Sequence, residues 1–229
     1  MKKWTTSNST EIYQVLNGRI NCYLVCNNYG LVLIDCGLTR LAGKLIKNLE
    51  KVNQEENTID YLFLTHAHFD HSESAAQISE KFKARIVIHS SEAINLMQGI
   101  TNVPKGTNLI TRGLINLARK FLDLTVRCPD VTIYSNGTLF SSAAMQIIHT
   151  PGHSQGSMSL IVDDEVAFVG DALFGVFRNK AIPPFADDVE ELVESWGKLL
   201  ETNCKLFLPG HGSPILRKTL EKEYLKRSL

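Results

Sequence analysis

Three stretches near the start of the chain concentrate apolar residues over strand length: EIYQVL at 11–16, INCYLVC at 20–26 and LVLIDCG at 31–37. Asn17-Gly18 and Asn27-Asn28 between them suit tight turns, so the pattern predicts a β-meander. The period then changes. In TRLAGKLIKNLEK (39–51), Leu41, Leu45, Ile46 and Leu49 share one helical face, with Thr39 as the expected N-cap. IDYLFL (59–64) is a near-continuous apolar run, as in a strand buried on both faces. SESAAQISEKF (72–82) predicts a helix capped by Ser72, and ARIVIHS (84–90) predicts the next strand.

From 91 to 127 the pattern turns helical. Leu109, Ile110, Leu114, Leu117, Ala118, Phe121 and Leu122 form a broad apolar face, interrupted by Pro104-Lys105-Gly106. VTIYSNGTLF (131–140) then predicts a hairpin around Asn136-Gly137. AMQIIHT (144–150) and SMSLIVDDEVAFVGD (157–171, turning at Asp163-Asp164) predict further strands. A helix over 187–200, the strand KLFLPGH (205–211) and a last helix over 214–227 follow. Two β-rich halves, each followed by helices, imply an α/β chain of two sheets packed face to face with helices outside. One domain over 1–229, with a helical insertion at about 91–127, is the expected organisation.

Composition narrows the functional classes. The chain has 229 residues, 44% of them hydrophobic, enough to bury a core without disulfides. Lys+Arg and Asp+Glu number 24 each, and no basic stripe offers a surface for a phosphate backbone, so nucleic acid is not the expected partner. Five scattered cysteines lack the spacing of a thiol metal knuckle or redox pair and read as reduced, buried thiols. The start, MKKWTTSNST, lacks the apolar core of a secretory signal, and no apolar run reaches membrane-spanning length. The expectation is a soluble cytoplasmic protein that acts on a small molecule; the oligomeric state is not encoded legibly.

The chemistry concentrates in LTHAHFDHS, residues 64–72, where three of the seven histidines and a carboxylate follow an apolar run. Alternate residues of a strand share a face and the backbone turns beyond its end. His66 and His68 can therefore face one centre while Asp70 and His71 face a neighbouring one. Imidazole and carboxylate are ligands for a borderline divalent ion such as zinc. At this chain's own frequencies such a string arises by chance roughly three times in ten thousand sequences. Further ligands are expected at strand ends beside glycine. His153 in HTPGHSQGS, Asp171 in VGDALFG and His211 in LPGHGSP all fit.

Together, the H-x-H-x-D-H string and the His, Asp and His that follow it resemble the metallo-β-lactamase-fold hydrolase superfamily. The pieces THAHFDHS, HTPGHSQGS, GDALF and PGHG look most like its glyoxalase II-like branch. The resemblance implies a four-layer αββα sandwich with two metals at one edge of the sheets. It implies that His66, His68 and His153 hold the first metal, that Asp70, His71 and His211 hold the second, and that Asp171 bridges them. Such a pair suits a bridging hydroxide nucleophile. Asp35 resembles the family's frequent Asp at that point, a residue that organises the loop without being a ligand.

The departures sort the branches. β-Lactamases of the fold usually carry Arg where this chain has His71, which points away from antibiotic hydrolysis. The di-iron oxygen and nitric oxide reductases carry Glu where His68 stands. About 18 residues follow His211, too few for the helical segment with which glyoxalase II helps to bind glutathione. Lactonases can carry Tyr three residues after the bridging Asp, where this chain has Phe174. The expected activity is hydrolysis of a thioester or lactone by a binuclear zinc centre, with Asp70 orienting the nucleophile and relaying a proton; iron or manganese can occupy similar sites. The alternatives are phosphodiester hydrolysis with the same metal pair and a non-catalytic metal-binding protein. Outside the ligand set, His149 is a candidate support for a ligand, His89 a structural residue, Arg178 and Lys180 candidate partners of a substrate carboxylate, and 91–127 a candidate lid.

Overall fold

The computed structural model describes residues 1–53, 57–100, 105–107, 111, 126, 128, 131–134 and 144–228. The chain forms two compact units, Met1–Thr101 with Val126–Gly137, and Asn102–Thr125 with Thr138–Leu229.

The first unit is built on a seven-stranded sheet: β1 (Lys2–Thr5), β2 (Glu11–Leu16), β3 (Cys22–Asn27), β4 (Gly30–Ile34), β5 (Tyr61–Phe63), β6 (Arg85–His89) and β7 (Thr132–Tyr134), in that spatial order. β2 to β4 pair antiparallel as the predicted meander, β1 adds to β2 antiparallel, and β4 to β7 pair parallel. β1 was not expected, because KKWT shows no apolar alternation. It lies at the sheet edge, where the Lys3 ammonium pairs with Glu11 at 2.5 Å. Helix α1 (Thr39–Val52) connects β4 to β5 and buries Ala42, Leu45 and Leu49. Its N-cap is Leu38 and not Thr39, whose N–H and hydroxyl donate to Glu73 Oε2 and the Glu73 carbonyl at 2.8 and 3.3 Å.

The helix expected over 72–82 divides into α2 (Phe69–Ser72) and α3 (Ala75–Phe82). Ser72 is not its cap: the hydroxyl donates back to the carbonyls of Ala67 and His68, tightening the turn that carries the histidines. Helix α4 (Ser90–Gln98) follows β6. His89 is its N-cap, its Nδ1 accepting from the Ser91 N–H, which gives that histidine a structural role. Leu24, Leu33, Leu45, Leu49, Leu62, Phe82 and Ile86 belong to the core of this unit.

The second unit holds a five-stranded sheet of β8 (Met145–His149), β9 (Met158–Val162), β10 (Val166–Gly170), β11 (Leu206–Pro209) and β12 (Ile215–Leu216), in the order β12-β11-β10-β9-β8. Asp163 and Asp164, with φ of 53° and 54°, form the predicted turn between β9 and β10. Helix α5 (Val189–Glu201) crosses from β10 to β11, which pair parallel. Asp188 caps it, its Oδ1 accepting from the N–H groups of Glu190 and Glu191. The last predicted helix is shorter than expected: 215–216 form β12, and α6 runs Arg217–Leu225. Arg217 donates to the carbonyls of Leu200, Thr202 and Cys204, satisfying backbone left open beyond α5. Both sheets are mixed and carry helices, as the two-sheet α/β expectation requires. The apolar face from Leu109 to Leu122 and the Asn136-Gly137 turn lie outside the described residues.

Candidate metal centre

In the first unit the histidine motif begins three residues beyond the carboxyl end of β5, where a parallel strand releases its chain into a loop. His66, His68 and His71 are buried and Asp70 is half-buried. The imidazole of His66 lies 4.5 Å from that of His68, edge-on, and 4.1 Å from that of His71, centroid to centroid. The three rings therefore meet in one cluster. Asp70 sits in the first turn of α2, between His68 and His71 in the chain.

Which ring nitrogen each histidine offers is set by its neighbours. Asp35 lies just past β4 in left-handed conformation (φ 54°) and is 1% exposed. Its carboxylate accepts from the Thr65 N–H (2.8 Å), the Thr65 hydroxyl (2.9 Å) and His71 Nδ1 (2.7 Å). A carboxylate accepts, so His71 Nδ1 carries the proton and the lone pair belongs to Nε2. Thr65 gives its single hydroxyl proton to Asp35 and so accepts from His66 Nδ1 at 3.1 Å. The lone pair of His66 is then also on Nε2. One buried carboxylate thus fixes two imidazoles, one directly and one through Thr65. Between His66 and His68, the Ala67 N–H donates to Glu92 Oε2 of α4 at 2.5 Å.

In the second unit His153 follows Gly152 in the β8–β9 loop, Asp171 follows β10, and His211 follows β11 between two glycines. His153 Nδ1 donates to the Phe185 carbonyl at 2.8 Å, which puts the ring's lone pair on Nε2. That Nε2 lies 3.7 Å from Asp171 Oδ2, and His211 Nε2 lies 3.4 Å from the same oxygen. Both separations exceed a hydrogen bond. Metal–ligand bonds of about 2.0–2.2 Å in tetrahedral geometry set ligand atoms about 3.3–3.6 Å apart, a range that contains the His211 separation and falls just short of the His153 one. One carboxylate oxygen thus stands near two imidazole nitrogens, a grouping of candidate metal-ligand atoms. The donor set, neutral imidazole nitrogen and carboxylate oxygen, fits a borderline divalent ion.

Helix α5 holds these loops in place. Ser195 donates to the Pro151 carbonyl and Trp196 Nε1 to the Ala172 carbonyl, each at 2.7 Å. Gly152, with φ of 117°, lies so close to the helix that an added Cβ would stand 2.2 Å from the Leu192 nitrogen. His149 is outside the set, since its Nε2 donates to the Gln155 carbonyl. Arg178 and Lys180 are exposed. Sequence reasoning missed Thr65, Glu92 and the Phe185 carbonyl. Thr65 was visible as a hydroxyl residue adjoining the first histidine. A helix carboxylate and a backbone carbonyl leave no comparable trace.

Comparison with known proteins yields concordant findings. A family model described as the metallo-beta-lactamase superfamily matches residues 16–211. Relatives include the probable metallo-hydrolase YflN of Bacillus subtilis, 28% identical, covering 85% of this chain and 80% of its own. Another is the metallo-beta-lactamase fold-containing protein ST1585 of Sulfurisphaera tokodaii, 27% identical, covering 90% and 77%. Among solved structures, the B3 metallo-beta-lactamase BLEG-1 superposes with a TM-score of 0.68 at 26% identity, covering 92% of this chain and 96% of its own.

Proposed function

The chain belongs to the metallo-beta-lactamase superfamily, has its fold and is a metal-dependent hydrolase, and on that premise we propose that it is a binuclear zinc enzyme cleaving a thioester or lactone. In this reading His66, His68 and His153 would hold one cation, Asp70, His71 and His211 would hold the other, and Asp171 would serve both. When bound, the pair supplies a water acidic enough to attack at neutral pH and a Lewis acid for the carbonyl oxygen. The remaining steps belong to the chain. Asp35, Thr65 and Phe185 hold His71, His66 and His153 through Nδ1, so that each lone pair is on Nε2. Asp70 orients the attacking water, takes its proton and returns it to the leaving thiolate or alkoxide.

The observation that carries this reading is Asp171 Oδ2, which stands 3.4 Å from His211 Nε2 and 3.7 Å from His153 Nε2. The match over 16–211 includes parts of both compact units, which supports treating 1–229 as one catalytic domain. None of the five cysteines is in a disulfide, which supports the cytoplasm as location. No helix among the described residues is long and apolar enough to cross a membrane.

A β-lactam is the second reading, because a structure 26% identical over nearly the whole chain is named a B3 metallo-beta-lactamase. The single position His71 is too little to set against that likeness. The test is metal analysis of protein purified without chelator, followed by assay of apo and zinc-restored enzyme on thioesters, lactones, a β-lactam and bis-p-nitrophenyl phosphate. Two equivalents of zinc and zinc-dependent carbonyl cleavage are expected. Less than one equivalent, or faster cleavage of the phosphodiester, overturns the proposal.

A further inference from the structure

The segment from Phe174 to Phe185 is fastened at both ends to histidines of the candidate centre. The Phe174 ring lies 5.2 Å from the His211 imidazole. Next to it, the Gly175 N–H donates to the His211 carbonyl and the Gly175 carbonyl accepts from the Ser213 N–H, at 2.9 and 3.0 Å. A Cβ on Gly175 would stand 2.0 Å from the Ser213 oxygen, so the two backbones are in contact with no space for a side chain. At the far end the Phe185 carbonyl holds His153 Nδ1, and Phe185 also bridges to Gly106. The Phe174 N–H donates to the Ala181 carbonyl at 2.8 Å, which closes 175–180 into a loop of its own.

That loop exposes what folding would ordinarily bury or pair. Val176 is 55% and Phe177 51% exposed, and the Phe177 ring lies 6.0 Å from that of Phe174. Arg178 and Lys180 flank Asn179, whose φ of 58° turns the chain at that point. Among the described residues neither cation takes part in an ion pair. An apolar step leading away from His211 and ending in two uncommitted cations is complementary to a chain that is aliphatic near its reacting carbonyl and anionic at its far end.

We propose that the loop 175–180 is a substrate-recognition element selecting acyl substrates with a remote anionic group, carboxylate or phosphate, which Arg178 and Lys180 bind while Val176 and Phe177 cover the aliphatic portion. This rests on the hydrolase reading above and adds the substrate class. The test compares, on the zinc-loaded enzyme, the mono-p-nitrophenyl ester of glutaric acid, its methyl-capped neutral analogue, and an ester of equal length ending in a phosphonate. The ratio of kcat/KM for either anion over the neutral ester is expected to exceed one. It should fall about fivefold in Arg178→Gln/Lys180→Gln, mainly through KM, and shrink between 25 and 250 mM salt in the native enzyme. Which anion has the higher ratio identifies the group. A ratio near one in the native enzyme, or a ratio untouched by the double substitution, overturns the inference while cleavage of the neutral ester leaves the hydrolase reading standing. No cleavage of any of the three esters overturns it together with that reading if thioesters and lactones are also inert.

Discussion

Replacing Asp35 by Asn tests whether a residue that is not a ligand sets the protonation of those that are. The carboxylate accepts from three donors, the Thr65 N–H, the Thr65 hydroxyl and His71 Nδ1. An amide in the same place has one oxygen and one NH2. With the oxygen toward Thr65, the NH2 faces His71 Nδ1, and the imidazole relieves the donor–donor conflict only by moving its proton to Nε2, the atom needed for metal. With the amide reversed, its NH2 faces the Thr65 N–H instead. Either way a buried donor loses its acceptor, at a cost of about 1–3 kcal/mol. Loss of such support lowers metal affinity by about 10- to 100-fold, or roughly 1.4–2.7 kcal/mol. The assay is chelator competition for the two zinc equivalents proposed above, with thermal unfolding of the apo protein reporting the packing cost separately. One equivalent, the one held by His71, is expected to weaken first and most, and Thr65→Val to weaken the equivalent held by His66. The reasoning is refuted if both zinc affinities in Asp35→Asn stay within threefold of native while apo stability is unchanged.

Gly152→Ala should destabilise the protein by about 3 kcal/mol or more, because its Cβ would meet α5 backbone at a φ that L-residues avoid; a denaturant midpoint within error of native would contradict this. Trp196→Phe keeps most of the buried ring but deletes the donor to the Ala172 carbonyl, which adjoins Asp171. It should cost about 1–3 kcal/mol and show as a lower unfolding midpoint. Burial pushes the Cys204 thiol up to about 11 and the Cys26 thiol up to about 12, from an ordinary value of 9.0. Between pH 9 and 11 the unfolded chain releases these protons while the folded chain keeps them. Stability should therefore be fully present below pH 9 and fall above it, and a denaturant midpoint that stays level to pH 11 would refute this.

Much of this architecture is legible from apolar period alone, because EIYQVL, the Leu45 and Leu49 face and the β9–β10 turn are each specified by local residues. The failures have physical causes. β1 is an edge strand whose exposed side chains carry no alternation, so only its pairing with β2 defines it. Ser72 and Thr39 have the composition of helix caps, but the Ser72 hydroxyl bonds back to the carbonyls of Ala67 and His68 within its own turn, and the Thr39 hydroxyl reaches the distant Glu73 carbonyl. A serine or threonine hydroxyl has several backbone partners in reach, so its residue type alone does not say that it caps a helix. The candidate ligands stand out in the sequence by residue type and, for His153, Asp171 and His211, by the glycine beside them. Their supports stand out less. The Phe185 carbonyl is backbone, and any residue type supplies one.

Asp35 and Asp171 show where residue type stops being informative. Each follows the first strand of a parallel pair, β4 with β5 and β10 with β11, and each meets an imidazole carried beyond the second strand. IDCG and GDAL look alike as sequence. Yet Asp35 approaches His71 at Nδ1, 2.7 Å away, a hydrogen bond that uses up the carboxylate as a support. Asp171 approaches His211 at Nε2, 3.4 Å away, too long for that and suited to a shared cation. The difference follows from depth and from which edge of the ring is presented. Asp35 is 1% exposed and meets the Nδ1 edge of its imidazole, whereas Asp171 is 8% exposed and faces the Nε2 edges of two. The same carboxylate on the same topological device thus serves as a proton-fixing support in one unit and as a candidate bridging ligand in the other. Exchanging the roles would require moving the imidazole and not changing the acid.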